Sequence, residues 1–252
     1  MSKTLSTEQA MRYNRQILLP GFDLDKQEIL LNSKVLQIGV GGLGCAVSQY
    51  IVAAGVGHIT LVDDDVVEHT NLPRQVLHTE ADLGVAKCVS AKASLSVLNS
   101  HARINIIQQR LDDETLLEQV KLHDIVMDCS DNLATRNQLN QACIQQQKPL
   151  VSGAAIRMEG QLCCFVPEAN NACYQCLSTM IGEQPLSCVE TGVMSPIVGV
   201  IGAMQALETI KILTHYGEAL INKLMVFDGL TMQWQTFSIP KNNICQACMF
   251  VE

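Results

Sequence analysis

The stretch from Val35 to Asp65 limits what this chain can fold into more than any other. It reads Val35-Leu36-Gln37-Ile38, then Gly39-Val40-Gly41-Gly42-Leu43-Gly44, a run of small residues, Ile59-Thr60-Leu61-Val62 and finally Asp63-Asp64-Asp65. An apolar run bounded by glycines suits a buried parallel strand. The pattern therefore predicts strand, glycine turn, helix, strand and acidic tip. Glycines 39, 41 and 44 fit G-x-G-x-x-G, and carboxylates follow 19 to 21 residues after Gly44. Bare backbone lets phosphates approach a helix N-terminus, and an acid beyond the second strand binds ribose hydroxyls. Gly39, Gly41, Gly42 and Gly44 are thus expected to hold a nucleotide, with Asp63 or Asp65 on its ribose. A tight turn without a ligand is the plainer reading of the same glycines.

The chain repeats this rhythm up to Ala155. Ser6-Thr7-Glu8-Gln9 looks like a capping box opening a helix through Leu18, which Pro20-Gly21 ends. That helix carries Arg12 and Arg15 on one face. A short helix is expected at 27–31. A polar loop at 69–78 contains Thr70, Asn71 and Arg74, and Pro73 keeps it from being regular helix. Further helices are expected at 85–98, 113–120 and 134–146, and strands at 104–107, 125–127 and from 150, with Ser152-Gly153-Ala154-Ala155 at the last strand's tip. Alternating strands and helices predict an α/β fold, a Rossmann-like doubly wound and mostly parallel sheet. After Gly160 the rhythm changes. A hairpin strand at 161–166, a long irregular stretch at 173–192, an apolar helix at 193–213 and two strands around Asp228-Gly229 predict an antiparallel C-terminal extension. One domain spanning 1–252 is expected, with N-terminal helices to 32, a nucleotide-binding core at 33–155, and a crossover, metal site and antiparallel edge at 156–252.

Composition narrows the context. A net charge of -8 argues against a nucleic-acid partner. No apolar segment follows Met1, so a cytoplasmic protein without a secretory signal is expected. Gln205, Glu208 and Lys211 interrupt the most apolar segment, which makes it a buried helix and leaves no membrane partner. Eleven cysteines, an odd number, favour free thiols and metal ligands over disulfides. Cys45, Cys88, Cys129 and Cys143 read as small core residues. Cys163 and Cys164, adjacent in a strand, should face opposite sides.

Three constellations carry chemistry. Cys173-x-x-Cys176 and Cys245-x-x-Cys248 can fill the tetrahedron of a structural Zn²⁺ with four thiolates; a redox C-x-x-C is the rival. Arg15, Arg74 and Lys87 are candidates to neutralise phosphates, against a default of solvated surface charge. Asp131 sits just beyond a parallel strand, where a carboxylate can hold Mg²⁺ or cap the following helix. Cys188, in a polar stretch, is the one cysteine suspected of reactivity, with an exposed spare thiol as the alternative reading.

Several motifs recur together: Arg12-Tyr13-Asn14-Arg15-Gln16-Ile17, the glycine turn, Asn71-Leu72-Pro73-Arg74-Gln75, Asp128-Cys129-Ser130-Asp131-Asn132, 153–161, 188–193 and both cysteine pairs. Over essentially its whole length the chain resembles the MoeB/ThiF family of ubiquitin-activating-enzyme-like adenylyltransferases. The resemblance implies that ATP lies on the glycine turn with its ribose on Asp63. The C-terminal glycine carboxylate of a small ubiquitin-like sulfur-carrier protein ending in Gly-Gly would attack the α-phosphorus and release pyrophosphate. The carrier would be the small subunit of molybdopterin synthase, with the thiamine-pathway carrier as the alternative. By the same resemblance, Thr70, Asn71, Arg74, Lys87 and Asn132 would meet the nucleotide and Asp131 would bind Mg²⁺. Arg15 would reach the phosphates of a neighbouring subunit in a homodimer, and the four paired cysteines would hold zinc. Cys188 matches a cysteine that can join a persulfide relay or a thioester. Pro73 and Asp64 depart from the family's pattern, and Asp64 leaves open which of the three acids binds ribose. No sulfurtransferase domain follows Cys248, so sulfur is expected from a separate sulfurtransferase or cysteine desulfurase. A nicotinamide-dependent oxidoreductase and a non-catalytic zinc docking module are the competing readings. Neither explains the cations and Asp131 together.

Overall fold

The computed structural model describes residues 4–182 and 192–251. Its sheet has eight strands: β1 (Lys34–Ile38), β2 (His58–Val62), β3 (Arg103–Ile107), β4 (Ile125–Asp128), β5 (Leu150–Ile156), β6 (Glu159–Phe165), β7 (Lys223–Asp228) and β8 (Gln233–Ser238). Their spatial order is β3-β2-β1-β4-β5-β6-β7-β8. The first five pair in parallel, and the last three join antiparallel. This is the expected doubly wound sheet with an antiparallel extension. β1 and β4 are adjacent, while the chain winds outward from them in both directions. Their carboxyl ends therefore open a crevice at the topological switch point, where such sheets bind ligands.

The helices are α1 (Thr7–Arg12), α2 (Asn14–Ile17), α3 (Asp23–Asn32), α4 (Gly42–Ala53), α5 (Lys87–Leu98), α6 (Asp113–Leu122), α7 (Leu133–Gln145), α8 (Tyr174–Ile181) and α9 (Ser195–Thr214). β1, β2 and β4 are buried on both faces, which is why their apolar runs do not alternate. Two apolar layers flank the sheet. One contains Val35, Ile59, Cys164 and Ile201, the other Leu36, Val126, Cys163 and Leu177. Cys163 and Cys164 thus do face opposite sides, and Cys45, Cys88, Cys129 and Cys143 are buried core thiols as expected. α9 is long and apolar enough to cross a membrane by length and composition. Here it packs between α4 and β5, burying Gln205, Glu208 and Thr209. Glu208 accepts the Leu220 N–H at 2.8 Å, so its carboxylate is used inside the fold.

Four expectations are corrected. The capping box at Ser6 is present, but the first helix breaks at Tyr13, whose ring turns into the core. α3 begins at Asp23, well before 27. β5 runs on to Ile156, so Ser152 to Ala155 lie within the strand. The stretch after Cys173 is helical to Ile181, and Cys188, with the rest of 183–191, lies outside the described residues.

A buried polar hub attaches the N-terminal helices to the core. Fully buried Gln27 donates to the Ala54 carbonyl at 2.8 Å and accepts from Gln16 at 2.7 Å. Asn99 donates to Tyr13 Oη and to the Val52 carbonyl. A buried amide left without its partner costs about 1–3 kcal/mol. Gln27→Leu keeps the volume and removes the bonds. It is expected to lower stability by about that amount in urea denaturation, with the far-ultraviolet circular dichroism unchanged.

Candidate functional site

The glycine turn between β1 and α4 is shaped by two close approaches. Gly39 has φ 94°, and a Cβ there would lie 2.7 Å from the Cys129 carbonyl oxygen. A Cβ on Gly44 would lie 2.1 Å from the Gly39 carbonyl oxygen. The first glycine makes the turn, and the third lets the helix press onto the strand. Gly44 is therefore buried behind the turn and does not line the crevice, unlike Gly39, Gly41 and Gly42.

Both polar groups of Val40, inside the turn, are held. Its N–H donates to Asp63 Oδ2 at 2.6 Å. Asp63 Oδ1 takes the Asp65 N–H at 2.9 Å, so the first acid after β2 braces the turn. Burial pushes the Asp63 carboxyl above its ordinary range, against the two N–H donors and Lys87, which favour the charged form. The Val40 carbonyl lies 3.2 Å from His78 Nε2, and His78 Nδ1 lies 2.8 Å from Ser90 Oγ. This pattern fits a neutral ring that donates from Nε2 and accepts from the serine. His78 thereby joins three elements: the glycine turn, the loop carrying Arg74, and α5, which Lys87 opens. Burial lowers its pKa from the ordinary 6.5.

The crevice beyond β1 and β4 has a volume of about 1180 Å³. Asp63, Asp64, Asp65, Thr70, Asn71, Arg74, Lys87, Asp131 and Asn132 all line it. Several are already engaged. Lys87 Nζ pairs with Asp65 at 2.7 Å, and the lysine side chain is only 8% exposed. Asn71 Oδ1 accepts the Glu68 N–H, and Arg74 donates to the Thr70 carbonyl. Asn132 Oδ1 caps α7 by accepting from Thr135 N at 2.9 Å, so the cap considered for Asp131 belongs to its neighbour. Asp131 is exposed to the crevice, with no ion pair or hydrogen bond among the described residues. Arg15 is exposed on α2 and does not line this chain's crevice.

Two opposite charges lie beneath this floor. Asp128, fully buried at the end of β4, accepts from the Ser130 N–H and hydroxyl and from the Ser152 hydroxyl at 2.7 Å. Arg136 lies 3.8 Å away, an ion pair without a hydrogen bond. It donates instead to the Ser130 and Gly153 carbonyls. These bonds fold the 128–132 turn so that Asp131 meets the crevice. Asp128 is named in the Asp-Cys-Ser-Asp-Asn motif, but its partners come from α7 and β5, which no local pattern reveals.

The four paired cysteines converge on the far side of α7. Cys173 Sγ lies 3.9 Å from Cys176 Sγ and 3.7 Å from Cys245 Sγ, and Cys176 Sγ lies 3.6 Å from Cys248 Sγ. All four sulfurs fall within 4.8 Å of one another. A tetrahedron of thiolates around Zn²⁺ at about 2.3 Å has edges of about 3.8 Å, which these distances match. The Asn242 N–H and the Asn140 side chain approach the sulfurs at 3.5 and 3.7 Å, as donors to thiolates do.

Comparison with known proteins agrees with this geometry. The ThiF family matches residues 13–247. The molybdopterin-synthase adenylyltransferase of Escherichia coli K12 is 49% identical over 244 residues, covering 97% of this chain and 98% of that protein. Its Salmonella typhimurium counterpart is 47% identical over the same shares. An adenylyltransferase and sulfurtransferase of Drosophila willistoni is 44% identical over 97% of this chain but only 54% of its own length. Among solved structures, E. coli MccB with ATP superposes with a TM-score of 0.78 at 27% identity, covering 88% of this chain and 68% of that one.

Neutral, buried His78 has a stability consequence. Its folded-state pKa is lowered, so no stability is lost above the ordinary value of 6.5. Below it the unfolded ring takes up a proton that the folded ring refuses. Stability should then fall with pH at up to about 1.4 kcal/mol per pH unit until the lowered pKa is reached. His123, buried between the Gln119 carbonyl and Thr60, shifts the same way and adds to the slope. Urea titrations between pH 7.5 and 5 are expected to show this decline, and His78→Gln should flatten it.

Proposed function

The chain belongs to the ThiF family, and we propose that it adenylylates the C-terminal glycine carboxylate of a small ubiquitin-like sulfur carrier with ATP. The carrier is the small subunit of molybdopterin synthase, and the step belongs to molybdenum cofactor biosynthesis. The reading rests on one observation: a glycine turn at the switch point faces Arg74, Lys87 and Asp131, which has no partner among the described residues, across one crevice. Relatives named as molybdopterin-synthase adenylyltransferases, matched end to end, support the same substrate class.

In this mechanism ATP lies on the turn with its phosphates over the N-terminus of α4. A carrier carboxylate oxygen forms a bond to the α-phosphorus as the bond from that phosphorus to the bridging oxygen breaks. Pyrophosphate leaves with the bridging oxygen, and an acyl-adenylate remains. Both reactants are anionic, so fixed cations decide the barrier. Arg74 and Lys87 meet the phosphates, each contributing about 3 kcal/mol at the developing charge. Lys87 gives up its bond to Asp65 or shares it with the nucleotide. Asp63 would bind ribose, or one of its exposed neighbours Asp64 and Asp65 would. Thr70, Asn71 and Asn132 shape the wall. Asp131, a hard oxygen donor without a partner among the described residues, would hold Mg²⁺, which would neutralise charge on the departing pyrophosphate. Cys173, Cys176, Cys245 and Cys248 would hold a closed, structural Zn²⁺ that ties the C-terminal residues to α8. Arg15, remote from its own crevice, acts on the nucleotide of a second copy in a homodimer. Cys188 is a candidate for sulfur handling, with sulfur supplied by a separate protein. The setting is the cytoplasm.

The test is pyrophosphate–ATP exchange with each purified carrier. Exchange should require Mg²⁺ and the molybdopterin carrier, whereas activity with the thiamine-pathway carrier alone would reassign the substrate. Asp131→Ala is expected to lower the rate about a hundredfold or more without altering the urea midpoint. Elemental analysis should find about one zinc atom per chain, and Cys248→Ala should lower both zinc content and thermal stability.

A further inference from the structure

One buried titratable group beside the phosphate-facing backbone is not used by the mechanism. His78 is 5% exposed and lies behind the glycine turn, outside the lining of the crevice. Its Nε2 donates to the Val40 carbonyl at 3.2 Å, one residue from the bare backbone of Gly41. Cys45 of α4 shares that carbonyl, with its Sγ 3.7 Å from Nε2. On the other side of the ring, Nδ1 lies 2.8 Å from Ser90 Oγ on α5. The Ser90 hydroxyl is also within reach of the Asp82 carboxylate, which takes the Thr79 N–H and hydroxyl. Val40, His78, Ser90 and Asp82 thus form one hydrogen-bonded chain, running from the turn to a half-buried carboxylate.

This chain has two complete arrangements. With the ring neutral, Nε2–H donates to Val40 and the Ser90 hydroxyl donates to Nδ1. With a proton from solvent on Nδ1, that N–H donates to Ser90 Oγ and the hydroxyl turns to Asp82. No bond to Val40 is lost, so the turn keeps its clamp in both states. Charge decides between them. Burial and Lys87 oppose the imidazolium, while Asp82 and Asp63 favour it. Cys45 adds no charge, because burial pushes its thiol up to about 12. A triphosphate over Gly41 and Gly42 would bring negative charge close to the ring and engage Lys87, the cation that opposes its protonation. Both changes favour the second arrangement.

We propose that His78 is a positioning residue that takes up a proton as the nucleoside triphosphate settles on the glycine turn, holding the turn before and after. The inference rests on the adenylylation reading and adds to it a positive charge beneath the turn that appears only with the nucleotide. Calorimetry with Mg²⁺ and the α,β-methylene analogue of ATP, without carrier, tests it. Run at pH 6.5 in two buffers of different ionisation enthalpy, it counts the protons taken up on binding. His78→Gln keeps a donor for Val40 and an acceptor for Ser90 but cannot titrate, so the difference between wild type and variant removes the analogue's own protonation. That difference is expected to be about half a proton per chain or more, and zero with adenosine, which carries no phosphate. Wild-type affinity should also rise as pH falls from 7.5 to 5.5, by up to about tenfold per unit, and the variant should lose that rise. The sign is opposite to that of folding stability, so loss of structure cannot produce it. If the variant does not fold, the ring carbon resonance of wild-type His78 serves, its titration midpoint moving upward when the analogue is added. Equal uptake by wild type and variant, or a midpoint that the analogue leaves in place, overturns the inference alone. A wild-type protein that binds no analogue overturns the proposed function with it.

Discussion

The contact of α4 on β1, with Gly44 lying against the carbonyl of Gly39, is the constraint around which the rest is arranged. It admits no side chain at Gly44, and the carbonyl of Cys129 admits none at Gly39. With both excluded, the first turn of α4 sits directly on the end of β1 and its N–H groups open into the crevice. The turn would still be free to shift if Val40 were loose. Asp63 holds its N–H and His78 holds its carbonyl, from opposite sides. The two clamps come from β2 and from the loop before α5. The phosphate-facing backbone and the cations on those elements are therefore positioned by the same bonds.

A second link joins the crevice to the cysteine cluster. Asn140 on α7 accepts from the Tyr174 N–H at 2.9 Å while its amide approaches Cys173 Sγ. The same helix opens with the Asn132 cap and carries Arg136 under Asp128. A metal at the four thiols would fix α8 and the C-terminal residues, and through Asn140 it would also fix the helix that supports Asp131. The cluster is outside the crevice but not mechanically independent of it.

What could be read from the residues divides along physical lines. β1, β2 and β4 were legible because strands buried on both faces must be continuously apolar, and the glycine spacing was legible because the turn excludes side chains. The paired cysteines were legible because metal spacing is local even when the two halves lie far apart. α8 was not: Cys173 to Ile181 mixes polar and apolar residues, and its start is held by Asn140, 34 positions earlier. The break at Tyr13 was hidden for a similar reason, since the Tyr13 hydroxyl is bonded to Asn99. Asp128 and Gln75 stand in motifs that the sequence singles out, and Arg136 in none, but no local pattern shows what any of them packs against. Only the packing of β5, α7 and the 69–78 loop makes them buried and costly to leave unpaired.

The most direct measurement of the central claim is a crystal structure of the protein with Mg²⁺ and an ATP analogue that cannot be cleaved between the α- and β-phosphorus atoms. The account predicts the phosphate chain over the backbone of Gly41 and Gly42, within hydrogen-bonding reach of Arg74 and Lys87, with Gly39 and Gly44 unmoved. A nucleotide bound elsewhere, or a crevice left empty at saturating analogue, would contradict it.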